Sequence, residues 1–124
     1  MTISKKKILI VEDEAINAIS LRMAFKKLGY EFCSLASTGE DAVRIAAHEH
    51  PDLVVMDVKL AGEMDGIEAA RLIRSRSNIP IIFLTGYSDN DILQAVNAFK
   101  NAAFIVKPTD PLKVSRALEK LLAP

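Results

Sequence analysis

The sequence predicts an α/β domain in which helices cover both faces of a five-stranded parallel sheet. Short β-branched runs alternate five times with longer segments of helical periodicity. The apolar runs are continuous, as expected for parallel strands that are buried on both faces. The 124 residues suit one domain with its own core. We therefore expect a single doubly wound domain over residues 1–124, with its core at about residues 6–122.

The five predicted strands are the runs richest in β-branched and other apolar side chains. They cover residues 7–11, 31–35, 53–56, 79–84 and 103–106. Strands that alternate with helices need crossover connections, which are right-handed, and few topologies satisfy this condition. The flavodoxin-like order 2-1-3-4-5 is the expected one for five strands.

The first two helices have recognisable ends. The first carries the apolar positions Ala18, Leu21, Phe25 and Leu28. We expect it to stop at Gly29. The second is predicted to start at Ser37, because Ser37 and Glu40 have the spacing of a capping box, and to end before Pro51. Its apolar positions are Ala42, Val43, Ala46 and Ala47.

Apolar residues at spacings of three and four mark three further helices. They are Ile67, Ala70 and Ile73, then Ile92, Val96 and Phe99, then Val114, Leu118 and Leu121. Asp110 is the expected N-cap of the fifth helix, with Pro111 at the first helical position. The predicted order is strand and helix in alternation, five times.

Composition excludes several classes of function. Sixteen basic and sixteen acidic residues cancel, so no positive field attracts nucleic acid. No apolar segment has the length of a membrane span or of a signal peptide. Cys33 stands alone, which favours a buried apolar role in a reducing compartment. We expect a cytoplasmic protein with no nucleic-acid partner and no membrane partner.

Acidic residues follow two of the predicted strands. Glu12 and Asp13 follow the first, and Asp57 ends the third, where we expect it to be presented to solvent rather than buried. The first and third strands flank the switch point of the predicted sheet, so the three carboxylates should converge. They would repel each other by about 1 to 4 kcal/mol per pair. Oxygen ligands favour a hard cation, and magnesium prefers a few carboxylates together with phosphate.

Two further residues end strands at the same edge. Thr85 follows the fourth strand and Lys107 the fifth. A hydroxyl and an ammonium suit the stabilisation of a phosphoryl group carried by Asp57. We expect Lys107 to pair with Asp57 when phosphate is absent. Singly, each residue has an ordinary explanation, because β-branched residues favour strands and charges are common at strand ends. Their joint placement favours a phosphorylation site.

With these residues in place, the chain resembles a response-regulator receiver domain of two-component signalling. The resemblance covers residues from about 6 to 122. It implies that Asp57 is the phosphoacceptor. It also implies that magnesium is held by Glu12, Asp13 and Asp57, together with the backbone carbonyl of Lys59.

The resemblance assigns roles to three more positions. Lys107 would contact the acyl phosphate, and Thr85 would be the switch hydroxyl. Phe104 matches an aromatic switch residue that rotates inward as Thr85 moves toward the phosphoryl group. The Lys107–Pro108 pair matches a peptide bond that is usually cis in the family.

The loop after the third strand differs from the common family pattern. Ala61 stands where proline is frequent, and residues 60–66 form a loop one residue longer than usual. Gly66 is expected to permit a backbone geometry that other residues resist. Lys59 and Tyr87 occupy variable positions that would shield the phosphoryl group, so we expect slow dephosphorylation.

The resemblance implies a signalling domain that catalyses only its own phosphorylation and dephosphorylation. A sensor histidine kinase or a histidine phosphotransfer protein would donate the phosphoryl group. The fourth helix, fifth strand and fifth helix would then present a changed surface to an output protein that the sequence does not identify. We expect no output domain, and a monomer or a weak phosphorylation-dependent dimer.

Three other classes of protein compete with this interpretation. A flavodoxin-like FMN binder would need a Ser/Thr/Gly-rich phosphate loop where residues 12–14 are acidic. A haloacid-dehalogenase-type phosphatase would carry an Asp-x-Asp motif after its strand. Here Asp57 is followed by Val58 and Lys59, so the second aspartate, the general acid, is missing. The third alternative, a receiver fold that binds proteins without phosphorylation, stays open.

Overall fold

The computed structural model describes residues 6–86 and 90–123. Five strands form one parallel sheet in the order β2-β1-β3-β4-β5. The predicted fold class and strand order are therefore confirmed. The elements are β1 (Lys7–Val11), α1 (Ala15–Lys27), β2 (Glu31–Phe32), α2 (Gly39–Glu49), β3 (Leu53–Asp57), α3 (Gly66–Arg74), β4 (Ile81–Thr85), α4 (Asn90–Asn97), β5 (Ala102–Val106) and α5 (Pro111–Leu122).

The sheet separates two apolar layers, because successive side chains of a strand point to opposite faces. Met56 and Phe83 belong to the layer under α2, α3 and α4. Val55 and Leu84 belong to the layer under α1 and α5. Every residue of β3 and β4 is buried, which explains why the central strands are continuous apolar runs in the sequence.

The register aligns the strand ends along one edge of the sheet. Val11 pairs with Met56, and Asp57 pairs with Leu84. Glu12, Asp57 and Thr85, which follow Val11, Met56 and Leu84, therefore emerge at the same edge, where ligands of such folds bind.

The predicted start of α2 is wrong by one residue. Thr38, not Ser37, is the N-cap, and its Oγ1 accepts a hydrogen bond from the backbone N–H of Asp41 at 3.1 Å. A β-bridge between Thr38 and Ala61 keeps the backbone extended past Ser37. The capping box of Ser37 with Glu40 therefore does not form.

Other element ends also differ from the prediction. β2 covers only Glu31–Phe32 instead of residues 31–35, and the remaining predicted strands agree to within two residues. Leu28 is the C-cap of α1 and is exposed, with Gly29 beyond it at φ +94°, so the predicted stop is confirmed. Phe99 lies beyond the end of α4, where its ring is 5.2 Å from that of Phe83.

The fold bears on the predictions for Cys33 and for membrane-spanning segments. Cys33 is buried and is not in a disulfide, as predicted, and burial raises its thiol pKa to about 11. Within residues 6–86 and 90–123, none of the helices combines the length and the apolar character needed to span a bilayer.

Candidate functional site

Three carboxylates meet at the carboxyl edge of the sheet. Glu12 and Asp13 directly follow β1, and Asp57 is the last residue of β3. One oxygen from each lies within 4.8 Å of the other two. Glu12 and Asp57 are each only 3% exposed, whereas Asp13 is exposed. The predicted convergence of the three acids is confirmed.

Asp57 is buried, so the expectation that it is presented to solvent is wrong. Both carboxylate oxygens accept hydrogen bonds. The Nζ of Lys107 donates to Oδ2 at 2.7 Å, and the backbone N–H of Lys59 donates to Oδ1 at 3.2 Å. The pairing of Lys107 with Asp57 is confirmed. The lysine comes from a strand end fifty residues away, so the residues around Asp57 do not show that it covers the carboxylate.

Lys107 links the two buried acids. Its Nζ lies 2.7 Å from Oδ2 of Asp57 and 3.5 Å from Oε2 of Glu12. Its backbone N–H donates to the carbonyl of Thr85 at 2.7 Å, and the Lys107–Pro108 bond is cis, as the resemblance implies. Burial alone would lower the pKa of Lys107, but the hydrogen bond and charge of Asp57, with the charge of Glu12, raise it above its usual value.

The surroundings of Glu12 offset the negative charge of its carboxylate only in part. Burial, followed by the hydrogen bond and the charge of Asp57, raises its pKa to about 7, although Lys107 acts in the opposite direction. Within the described part of the chain, its Oε2 is buried without a hydrogen-bond partner. This oxygen accepts no hydrogen bond and lies beside two other carboxylates. Together they match the donor set of a hard divalent cation. The residues present therefore fit magnesium.

The other predicted site residues differ in how far their side chains are exposed to solvent. Thr85 ends β4 at the same edge and is 2% exposed. Lys59 is exposed beside Asp57. Phe104 pairs with Phe83 in the sheet but is 38% exposed. Tyr87 lies outside the described residues, so its shielding role stays a prediction.

The expected role of Gly66 requires correction. Its backbone does not adopt a positive φ, which among the described glycines occurs at Gly29 and Gly62. A Cβ at Gly66 would instead collide with the backbone carbonyl of Asp57. The Gly66 N–H donates to the Val58 carbonyl at 2.8 Å. Gly66 therefore allows α3 to begin directly against the end of β3.

Sequence reasoning missed Asn17 in the first turn of α1. Its Nδ2 donates to Oε1 of Glu12 at 3.4 Å and to Oε2 of Glu14 at 3.2 Å. The available signal was an amide side chain in the otherwise apolar first turn of α1, just beyond the acidic residues. Asn17 joins α1 to the carboxylate cluster.

The fold and the acidic cluster define a class of protein. The sequence profile described as "Response regulator receiver domain" matches residues 8–119, and the chain belongs to this family. Receiver domains are signalling modules of two-component systems rather than conventional enzymes. They bind Mg²⁺ at an acidic site, and they interact with sensor kinases or phosphotransfer proteins.

Two relatives resemble the chain over most of its length. The transcriptional regulatory protein PdtaR of Mycobacterium tuberculosis is 39% identical over 103 residues, which are 83% of this chain and 50% of that protein. Sporulation initiation phosphotransferase F of Bacillus subtilis is 36% identical over 118 residues, 94% of each chain. The chain thus spans about half the length of PdtaR and nearly all of the Bacillus protein.

A solved structure resembles this chain in fold over nearly its whole length. It is the receiver domain of the sensor histidine kinase PA1611 from Pseudomonas aeruginosa PAO1, with a TM-score of 0.85 and 30% identity over 98% of this chain and 100% of that one. A magnesium ion is coordinated in the active-site cleft of that domain.

Proposed function

We propose that residues 1–124 act as a single phosphoacceptor receiver domain in a two-component phosphorelay, with Asp57 taking a phosphoryl group from a phosphohistidine. One observation carries the proposal. A buried carboxylate at a strand end is held by an ammonium at 2.7 Å, and that ammonium also faces Glu12. This arrangement prepares both a nucleophile and a cation that neutralises charge during transfer.

The transfer itself needs few steps. An oxygen of Asp57 attacks the phosphorus in line with the leaving nitrogen. The new O–P bond forms as the P–N bond of the phosphohistidine breaks. The electron pair of that bond stays on the imidazole nitrogen, which takes up a proton. Lys107 exchanges its hydrogen bond from Oδ2 of Asp57 to a phosphoryl oxygen, so its charge stays compensated.

The carboxylates of Glu12, Asp13 and Asp57, with the backbone carbonyl of Lys59, would hold magnesium. When bound, the ion supplies positive charge against the oxygens of the transferred group. The Oε2 of Glu12 supports this assignment, because it is buried and accepts no hydrogen bond, and the Lys107 ammonium at 3.5 Å offsets its charge only in part. The backbone N–H of Lys59 keeps Oδ1 of Asp57 oriented at 3.2 Å.

Phosphorylation would be read through Thr85 and Phe104. The phosphoryl group adds about 1.5 to 2 negative charges, and the hydroxyl of Thr85 is placed at the same edge to donate to it. The half-exposed ring of Phe104 then turns inward and changes the surface of α4, β5 and α5. A change in population from 1:99 to 99:1 needs about 5.5 kcal/mol, which several charge-assisted hydrogen bonds supply.

A second candidate function is a receiver-fold binding module that does not depend on phosphorylation. The observation that favours it is the closed state of Asp57, whose two oxygens already accept hydrogen bonds and whose side chain is buried. In that case Lys107 and Asp57 would form a permanent structural ion pair, and the output partner would bind the unmodified chain.

Acetyl phosphate with magnesium tests the two functions. The wild-type chain is expected to gain one phosphoryl group by intact mass, and neither Asp57→Asn nor an EDTA-treated sample should gain it. Asp52→Asn is the matched control, because Asp52 is an exposed acid beside the opposite end of β3. A wild-type chain that stays unmodified, or an Asp57→Asn chain that is modified, contradicts the proposal and favours the binding module or another acceptor.

A further inference from the structure

A cavity lies between the last turns of α2 and α3. Its volume is about 420 Å³, and its lining includes Val43, Ala46 and Ile73. The helices of a doubly wound parallel sheet run antiparallel to the strands, so their last turns lie at the amino edge of the sheet. The cavity therefore lies at the opposite edge from Asp57. We call it the α2–α3 groove.

The size of the α2–α3 groove suits a small molecule. Ligand pockets usually measure about 300 to 1,000 Å³ and have mainly apolar linings. Leu72, on the rim, is 45% exposed, and Ala47 is exposed as well. A short apolar chain fits a groove of this volume.

An arginine in the lining of the groove favours an anionic ligand. Arg76 and His50 are exposed and belong to the lining, which contains no Asp or Glu. Among the described residues, the guanidinium of Arg76 forms no ion pair. Arg74, the last residue of α3, is instead satisfied by the carbonyls of Ile79 and Asn101 at 2.6 and 2.8 Å. Arg76 is thus available to pair with a carboxylate at the mouth of an apolar groove.

We propose that the α2–α3 groove binds a small amphipathic carboxylate, with its apolar chain against Val43, Leu72 and Ile73 and its carboxylate paired with Arg76. This binding site is distinct from the phosphorylation site and does not depend on the proposed phosphoryl transfer.

A titration of the ¹⁵N-labelled chain with decanoate tests the proposal. Saturable amide shifts are expected in the last turns of α2 and α3. Arg76→Glu should weaken binding by about tenfold or more, because it replaces a charge-assisted pair with repulsion. Arg71→Glu is the matched control, since Arg71 is an exposed arginine of α3 outside the groove lining. Decyltrimethylammonium, with the same apolar chain and the opposite charge, should bind at least tenfold more weakly.

Several results would overturn the proposal. One is a set of shifts centred on the exposed α1 residues Ile16, Ile19 and Met23, which indicates general detergent-like binding. Equal affinity for the cationic probe, or an unchanged affinity in Arg76→Glu, would also contradict it. Arg76→Gln serves as a second variant if Arg76→Glu perturbs the spectrum of the free chain. Decanoate binding should persist in Asp57→Asn, so the outcome is independent of phosphorylation.

Discussion

Lys107 is the residue that neutralises two buried acids at once, at 2.7 Å from Asp57 and 3.5 Å from Glu12. Lys107→Met should lower the free energy of unfolding by about 2 kcal/mol, because it leaves buried carboxylates without their cation while partial exposure of the lysine limits the loss. Adding Asp57→Asn to Lys107→Met should restore part of that loss. Urea denaturation in EDTA, followed by circular dichroism, measures both effects.

Lys100→Met provides the control for Lys107→Met, because Lys100 is exposed and lies outside the crevice. It should leave stability within about 0.5 kcal/mol of wild type. If the effects of Lys107→Met and Asp57→Asn simply add, the ion pair contributes nothing to stability and the predicted coupling is wrong.

Glu12 makes stability depend on pH, because its pKa is raised from 4.5 to about 7 in the fold. The folded chain then binds a proton more tightly than the unfolded chain does. The stabilisation is present below pH 4.5 and is lost as the pH rises to about 7, by roughly 2 to 3 kcal/mol. Lys107 contributes no slope there, since its raised pKa lies above 10.5. Urea midpoints in EDTA from pH 4.5 to 8 measure the effect.

The difference between wild type and Glu12→Gln isolates this contribution. Glu12→Gln cannot ionise, so its stability should fall less over the same pH range. Glu49, whose pKa is lowered by its hydrogen bonds with Ser34, is present in both chains and cancels. A wild-type slope equal to that of Glu12→Gln would show that Glu12 titrates normally.

Sequence could identify the site residues because each one ends a strand, and the strand order brings those ends together. It could not give their exposure. Asp57 is covered by a side chain from β5, and Glu12 accepts a hydrogen bond from Asn17 of α1. The steric role of Gly66 depends on how closely α3 approaches the carbonyl of Asp57. Each of these contacts is tertiary and leaves no local pattern.

The N-cap of α2 can be tested by substitution, because Thr38 rather than Ser37 caps this helix. Thr38→Ala should destabilise the chain by about 1 kcal/mol, because the N–H of Asp41 loses its side-chain acceptor. Ser37→Ala should change stability by less than about 0.5 kcal/mol. Thermal unfolding of both variants measures the difference. A larger loss for Ser37→Ala would restore the capping box that the sequence predicted.

The existence and type of the elements could be predicted from hydrophobic periodicity, since each helix buries one face and the central strands are buried on both. Their ends could not. The bridge between Thr38 and Ala61 sets the start of α2, and it joins two loops that are far apart in sequence. β2 is shorter than predicted because it lies at the sheet edge and pairs on one side only.

The whole molecule is expected to carry a signal from the carboxylate edge to the surface of β5. The chain contains no tryptophan, so Phe104→Trp introduces a single fluorescent probe at the predicted switch. Beryllofluoride with magnesium should reduce acrylamide quenching of this probe by about twofold or more, as an indole that is partly exposed turns inward. The same addition to Phe104→Trp with Thr85→Ala should have little effect.

Val106→Trp is the comparison for Phe104→Trp, because Val106 is also an exposed residue of β5 and has no predicted switching role. Its quenching should stay nearly constant. Equal changes at both positions would indicate a general rearrangement of β5 rather than rotation of one ring. No change at either position would contradict the proposed switch.

The two apolar layers on either side of the sheet have a consequence for how this chain tolerates mutation. Their side chains alternate along the same strands but contact different helices. Substitutions that lie more than about 7 to 10 Å apart and share no partner usually add within about 0.5 kcal/mol. Volume changes under α2 and α3 should therefore be compensated within that layer, and the layer under α1 and α5 can keep its own packing. Substitutions on the two sides of the sheet should therefore have nearly additive effects on stability.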